Sequence, residues 1–173
     1  MGDGLAVRAH AGEEVRLLLL THGDYDHAGS AAYLCDRYGS EIAVHRDDAE
    51  RVRTADWSSG MKPRPDKFGL VNRVVSRFIK PGPFDAFEPG ISVEDGQPLA
   101  GYGLDATILH LPGHTRGSIG VLIGDGDIFC GDLMDSMGKP SLARLRSLDV
   151  RTVYPGHVKP FLFERVRGVH PPR

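Results

Sequence analysis

Cysteine is scarce in this chain. Cys35 and Cys130 are the two in 173 residues, and they do not form a CxxC pair. Two such residues would staple little, so free thiols in a reducing compartment are the expectation. No stretch approaches the ~20 apolar residues of a membrane helix, and the N-terminus lacks the charged-then-apolar pattern of a secretory signal. A cytoplasmic location with no membrane partner is therefore the default expectation. Charge of one sign is lacking too. The formal net charge is −2, and no basic stripe offers itself to a phosphate backbone, so no nucleic-acid partner is expected. There is no internal repeat, low-complexity tract or charge run.

What is present suits one compact domain over residues 1–173. Hydrophobic residues make up 40% and charged residues 25%, ordinary values for a globular chain able to bury a core unaided. The 22 glycines point to many tight turns.

After a turn-rich start, the run from Val15 to Leu20 reads as a strand, continuously apolar as if buried on both faces in a sheet covered by helices. Gly29-Ser30 opens a helix through Tyr38, with Gly39 as its stop. Ile42 to His45 is a second strand, which gives a βαβ pattern. Asp47-Asp48 can cap a further short helix. Residues 57–66 are loop-like, and Phe68 to Ile79 has helical spacing. Strands are expected at 91–93, 106–111, 119–123 and 127–130, with a hairpin turn at Gly124-Asp125-Gly126. A short amphipathic helix over Ser141 to Leu148 and a strand over Arg151 to Tyr154 follow.

Four turns, each after an expected strand, carry side chains that hold metals. The first runs Thr21-His22-Gly23-Asp24-Tyr25-Asp26-His27. The others are Pro112-Gly113-His114, Gly131-Asp132 and Pro155-Gly156-His157. Ligand sites in layered α/β folds gather where strands end, and glycine beside a ligand lets the backbone turn and approach closely. In an extended turn His22, Asp24 and Asp26 face one side and His27 breaks the alternation, so one loop can feed two metals about 3.5–4 Å apart. Any one of these turns alone has an ordinary structural reading: an Asp-rich loop bonds its own backbone. The conjunction of four, in this order, is the signal.

These motifs resemble the metallo-β-lactamase superfamily. Thr-His-Gly-Asp-Tyr-Asp-His-Ala-Gly is similar to its first metal motif, Leu-Pro-Gly-His-Thr-Arg-Gly-Ser at 111–118 to the second, Phe-Cys-Gly-Asp-Leu at 129–133 to the third and Tyr-Pro-Gly-His at 154–157 to the fourth. The resemblance implies an α/β fold, a four-layer αββα sandwich. Its first sheet is expected to be incomplete, because only 14 residues precede the first strand. The exposed edge this would leave makes a homo-oligomer an expectation. Only 24 residues separate Asp132 from His157, fewer than in relatives.

Carried over by position, the resemblance implies two divalent metal ions. His22, Asp24 and His114 would hold the first, Asp26, His27 and His157 the second, and Asp132 would bridge them. Asp24 stands where most members have histidine. That carboxylate makes the site harder and more anionic, so iron or manganese stand beside zinc, the first expectation.

The chemistry implied is hydrolysis of a small-molecule ester, thioester or lactone by a metal-bridging hydroxide, with Asp26 as the catalytic residue that orients the nucleophile. Asp24 motivates an alternative, a diiron redox protein acting on oxygen or nitric oxide. The short N-terminus motivates another, a truncated non-catalytic metal-binding domain. His45 and His110 are read as half-buried structural histidines near strand ends. Tyr25, Thr115 and Ser118 are read as lining or packing residues, and Trp57 and Met61 as candidates for a substrate loop.

Overall fold

The computed structural model describes residues 15–55, 84–132 and 139–164. The first 14 residues, the loop and helix expected over 57–79 with Trp57 and Met61, and Leu133 of the third motif lie outside the described residues.

Two sheets form the centre. In the first, β1 (Leu17–Leu19), β2 (Glu41–His45) and β3 (Ile91–Val93) run parallel, with Leu17 opposite Glu41 and Ala43 opposite Ile91. In the second, β4 (Ala106–His110), β5 (Ile119–Ile123), β6 (Asp127–Gly131), β7 (Thr152–Pro155) and β8 (Phe161–Leu162) lie in sequence order. All neighbours there are antiparallel except β6 and β7.

Between β1 and β2 the chain forms two helices, α1 (Tyr25–Ala28) and α2 (Ala31–Tyr38). Gly39, at φ +65°, ends α2 as expected of a C-terminal glycine. The βαβ unit is thus present, with the parallel pairing that such a crossover produces. Helix α3 (Arg46–Thr54) follows β2 directly. Its N-cap is His45, whose Nδ1 accepts from the Asp47 amide, rather than Asp47 or Asp48. Helix α4 (Lys139–Ser147) connects the third motif to β7.

Side-chain alternation along the strands builds the layers. Leu18, Ile42 and Val44 point toward Ala31, Ala49 and Val52 of α2 and α3. Leu17, Leu19, Ala43 and Val93 point the other way and meet Ala106, Ile108, Ile119 and Val121 of the second sheet. On the far face of that sheet Leu109, Ile128, Cys130 and Val153 pack with Leu142 and Leu145 of α4. The order is helix, sheet, sheet, helix. The first sheet is therefore covered by helices on one face and by the second sheet on the other, not by helices on both. No helix of the described residues is long and apolar enough to cross a membrane.

Candidate metal centre

Strand ends deliver the four turns to one place. Residues 21–28 leave β1, 111–118 leave β4, 131–132 leave β6 and 156–157 leave β7. The turns are cross-tied: the Ile119 amide donates to the Thr21 carbonyl at 2.8 Å, and the Gly156 amide to the Gly131 carbonyl at 2.9 Å. Glycine is required where the backbones close in. Gly131 sits at φ +51°, and a Cβ there would lie 2.4 Å from Thr21 Oγ1. A Cβ on Gly156 would lie 2.8 Å from Asp132 Oδ1 and from His27 Cε1.

The first turn corrects one expectation. Its second half is not extended. Asp24 is the N-cap of α1, and Asp26 and His27 project from that helical turn. The separation of ligands therefore comes from a change of backbone between residues 24 and 25, not from strand alternation.

Six of the seven expected residues fall into two ligand groups, and the seventh, Asp24, lies beside His114 with its Oδ2 2.8 Å from Nε2. Asp26, His27, Asp132 and His157 place one ligand atom each within 4.8 Å of one another, and so do His22, His114 and Asp132. Asp132 belongs to both groups. In the first group Asp132 Oδ1 is 3.1 Å from His27 Nε2 and 3.2 Å from His157 Nε2, while Asp26 Oδ2 is 3.1 Å from His157 Nε2. The two imidazole nitrogens of His27 and His157 face each other at 3.3 Å. A tetrahedral ion with bonds of about 2.0–2.1 Å has ligand–ligand edges of roughly 3.3 Å. Four donors at these separations therefore fit one cation. In the other group His22 is buried, and its Nε2 has no hydrogen-bond partner among the described residues. A buried lone nitrogen without a partner is costly, and a cation satisfies it.

The two halves differ in exposure. The His22 side chain is 1% exposed, whereas that of His157 is 52% exposed. One position is enclosed and the other opens to solvent.

Electrostatics follow burial. Burial, then the neighbouring His27, pushes the His22 imidazole down to about 3, so it stays neutral with a lone pair available. Burial acts to raise the Asp24 carboxyl. The hydrogen bond from His114 and the Arg51 guanidinium outweigh it and hold the group below its ordinary value.

Asp24 is the residue whose surroundings the sequence did not foretell. Its Oδ2 is 2.8 Å from His114 Nε2 and 3.8 Å from His22 Nε2. Its Oδ1 accepts a hydrogen bond from Arg51, a buried guanidinium on α3. One turn earlier Asp48 is fully buried. It accepts from the Gly23 amide at 2.9 Å, the Gly117 amide at 2.9 Å and Thr115 Oγ1 at 2.7 Å, and so clamps the first and second turns together. Both residues were missed. The signal was their phase: Asp48 and Arg51 flank the buried Ala49 and Val52, so these charges share the helix face that points inward.

Thr115 and Ser118 are buried and bond each other, so they brace the second turn. Tyr25 is exposed. His45 and His110 stack at 4.0 Å with their rings 10° from parallel, one at the end of each sheet. With Asp47 they form a third grouping of metal-capable residues. One nitrogen of each ring is engaged, however: His45 Nδ1 accepts from the Asp47 amide and His110 Nε2 donates to the Arg116 carbonyl. Near-parallel rings also aim their in-plane lone pairs side by side rather than at a common point.

This arrangement of layers and strand-end turns is that of a metal-site αββα sandwich. Residues 5–157 match the model of the metallo-beta-lactamase superfamily, and the chain belongs to that family. It is 36% identical over 124 residues to the hydroxyacylglutathione hydrolase GloC of Haemophilus influenzae, covering 69% of this chain and 50% of that protein. It is 30% identical over 140 residues to a hydroxyacylglutathione hydrolase of Shewanella pealeana, covering 79% and 41%. The chain thus spans half or less of the length of these relatives. Among solved structures, TTHA1623 in a di-iron-bound form superposes with a TM-score of 0.61 at 26% identity, covering 88% of this chain and 75% of that one.

Proposed function

We propose that this chain, as a single metallo-β-lactamase-like domain, is a metal-dependent hydrolase that cleaves a small thioester, with esters and lactones as chemically related substrates. The observation that carries the reading is the pair of ligand groups sharing Asp132, with His27 and His157 nitrogens 3.3 Å apart between two carboxylates. Similarity to hydroxyacylglutathione hydrolases supports the thioester, because an acyl group on glutathione is carried by sulfur.

In this reading His22, Asp24 and His114 would hold the first divalent ion and Asp26, His27 and His157 the second, with Asp132 in reach of both groups. Two such ions, when bound, lower the pKa of a shared water toward about 7 and polarise the scissile carbonyl. The side chains do the rest. His22 is neutral at working pH, so its ring needs to lose no extra proton before a nitrogen lone pair can serve an ion. Asp26, beside His157 on the exposed side, would hold the second ion through one carboxylate oxygen and accept the nucleophile's proton with the other, passing it toward the leaving thiolate. The enclosed first position keeps solvent away, and substrate enters from the His157 side.

Zinc is the first metal expected, and the di-iron form of TTHA1623 keeps iron beside it. Cytoplasmic placement fits the free thiols of Cys35 and Cys130. The test is elemental analysis of protein purified without added metal, followed by a thioester, ester and lactone panel. Two equivalents of metal are expected in the wild type, and thioester turnover should fall at least 100-fold in Asp26→Ala, which removes a ligand and a proton acceptor together. Fewer than half an equivalent of any metal, or equal turnover by Asp26→Ala, would refute the reading.

A further inference from the structure

Helix α3 supplies the enclosed half of the site with a charge that the metal motifs do not contain. Arg51 is 3% exposed, and Asp24, whose Oδ1 accepts from it, is 7% exposed. A guanidinium is retained in such a place only with an anionic partner in good geometry. The contact has two consequences for Asp24. Arg51 takes Oδ1, so Oδ2, which meets His114 Nε2 at 2.8 Å and faces His22, is the oxygen turned to the site. The positive charge of Arg51 also offsets the negative charge of the carboxylate.

Taken alone, an aspartate at this position makes a donor set harder and favours oxygen-preferring metals. With Arg51 attached, the position presents one oxygen with its charge offset, close to what a neutral ligand would present. We propose that Arg51 is a specificity-determining residue: by taking Asp24 Oδ1 and offsetting its charge, it holds the first metal position to nitrogen-preferring metals such as zinc and against manganese. The inference rests on the two-metal reading above. It revises what the sequence implied about Asp24, because the carboxylate is present but its hardening effect is checked from the next helix.

The experiment uses the full chain, stripped of metal. Zn(II) and Mn(II) affinities are measured by competition with chelators, with bound and free Mn(II) distinguished by electron paramagnetic resonance. Arg51→Gln keeps an N–H for Oδ1 and removes the charge, and Arg51→Lys keeps the charge. The ratio of Mn(II) to Zn(II) affinity is expected to rise at least tenfold in Arg51→Gln and to stay within threefold of wild type in Arg51→Lys. In an Asp24→His background, where no carboxylate remains to be released, Arg51→Gln is expected to shift the ratio less than threefold. A purely structural role for Arg51 would weaken both metals alike. The inference is overturned if Arg51→Gln leaves the ratio within threefold in the Asp24 protein, or if the shift is the same in both backgrounds. If Arg51→Gln does not fold, a tenfold shift in Arg51→Lys overturns it. Wild-type protein that binds neither metal would instead sink the two-metal reading itself.

Discussion

Removing the Asp48 carboxylate should unfasten the site from below, and the size of the effect can be worked from its contacts. Asp48 is fully buried and accepts from two backbone amides, Gly23 and Gly117, and from the Thr115 hydroxyl. In Asp48→Ala the hydroxyl can turn to Ser118, which is already 2.8 Å away. The two amides have no such recourse. A buried donor left unmade costs about 1–3 kcal/mol, and a small cavity adds to it, so the loss should be about 3–5 kcal/mol. That is a large share of the roughly 5–15 kcal/mol that holds a domain together. At this chain length it corresponds to a fall in Tm of roughly 6–20 °C. Asp48→Asn keeps one oxygen, which can serve Gly23 and Thr115 together because both bond Oδ2. Its amide group then opposes the Gly117 amide, so the loss should be smaller, about 1–3 kcal/mol. The assay is thermal and urea unfolding of metal-stripped protein, which keeps metal binding from altering the apparent stability. An Ala variant within about 1 kcal/mol of wild type, or an Asn variant as unstable as the Ala one, would refute the clamp.

Other expectations follow from single contacts. Gly156→Ala places a Cβ against Asp132 and His27; elemental analysis should show one of two metals lost, and two retained equivalents would contradict the geometry. His22 is neutral when folded, held down to about 3, while its unfolded counterpart titrates near 6.5. Between those values the unfolded chain binds the extra proton, so His22 makes the metal-free protein lose up to about 1.4 kcal/mol per pH unit as pH falls from 6.5 toward 3. Urea titrations of wild type and His22→Gln across that window check this, since the variant should lack that component of the slope. Cys130 is buried, and burial followed by the nearby Asp132 pushes its thiol up to about 12. It should therefore resist a thiol reagent in native protein and react on unfolding, which a timed labelling experiment followed by mass spectrometry would read.

Much of this molecule is written locally. The alternation of Leu17, Leu18 and Leu19 between two cores, the stop at Gly39 and the glycine beside each ligand are properties of short segments, and short segments are legible. So is the set of candidate ligands, because the strand ends converge and each of the four turns carries a side chain able to hold a metal. The turn at residues 24–28 was misread for the opposite reason. Asp24 can end an extended run or cap a helix, and nothing within the turn decides between them.

The same limit explains Asp48 and Arg51. Each acts on a residue 25 or more positions away, Asp48 on Gly23, Thr115 and Gly117, and Arg51 on Asp24. Their helix periodicity showed that they share a face with Ala49 and Val52, but not what that face would meet. The amino-acid sequence by itself determined the family, the layers and the strand-end turns whose side chains gather at one end of the sheets. Only the tertiary structure decided how Asp24 is charged and held, because a charge is offset by whatever folding brings against it, and α3 brings Arg51.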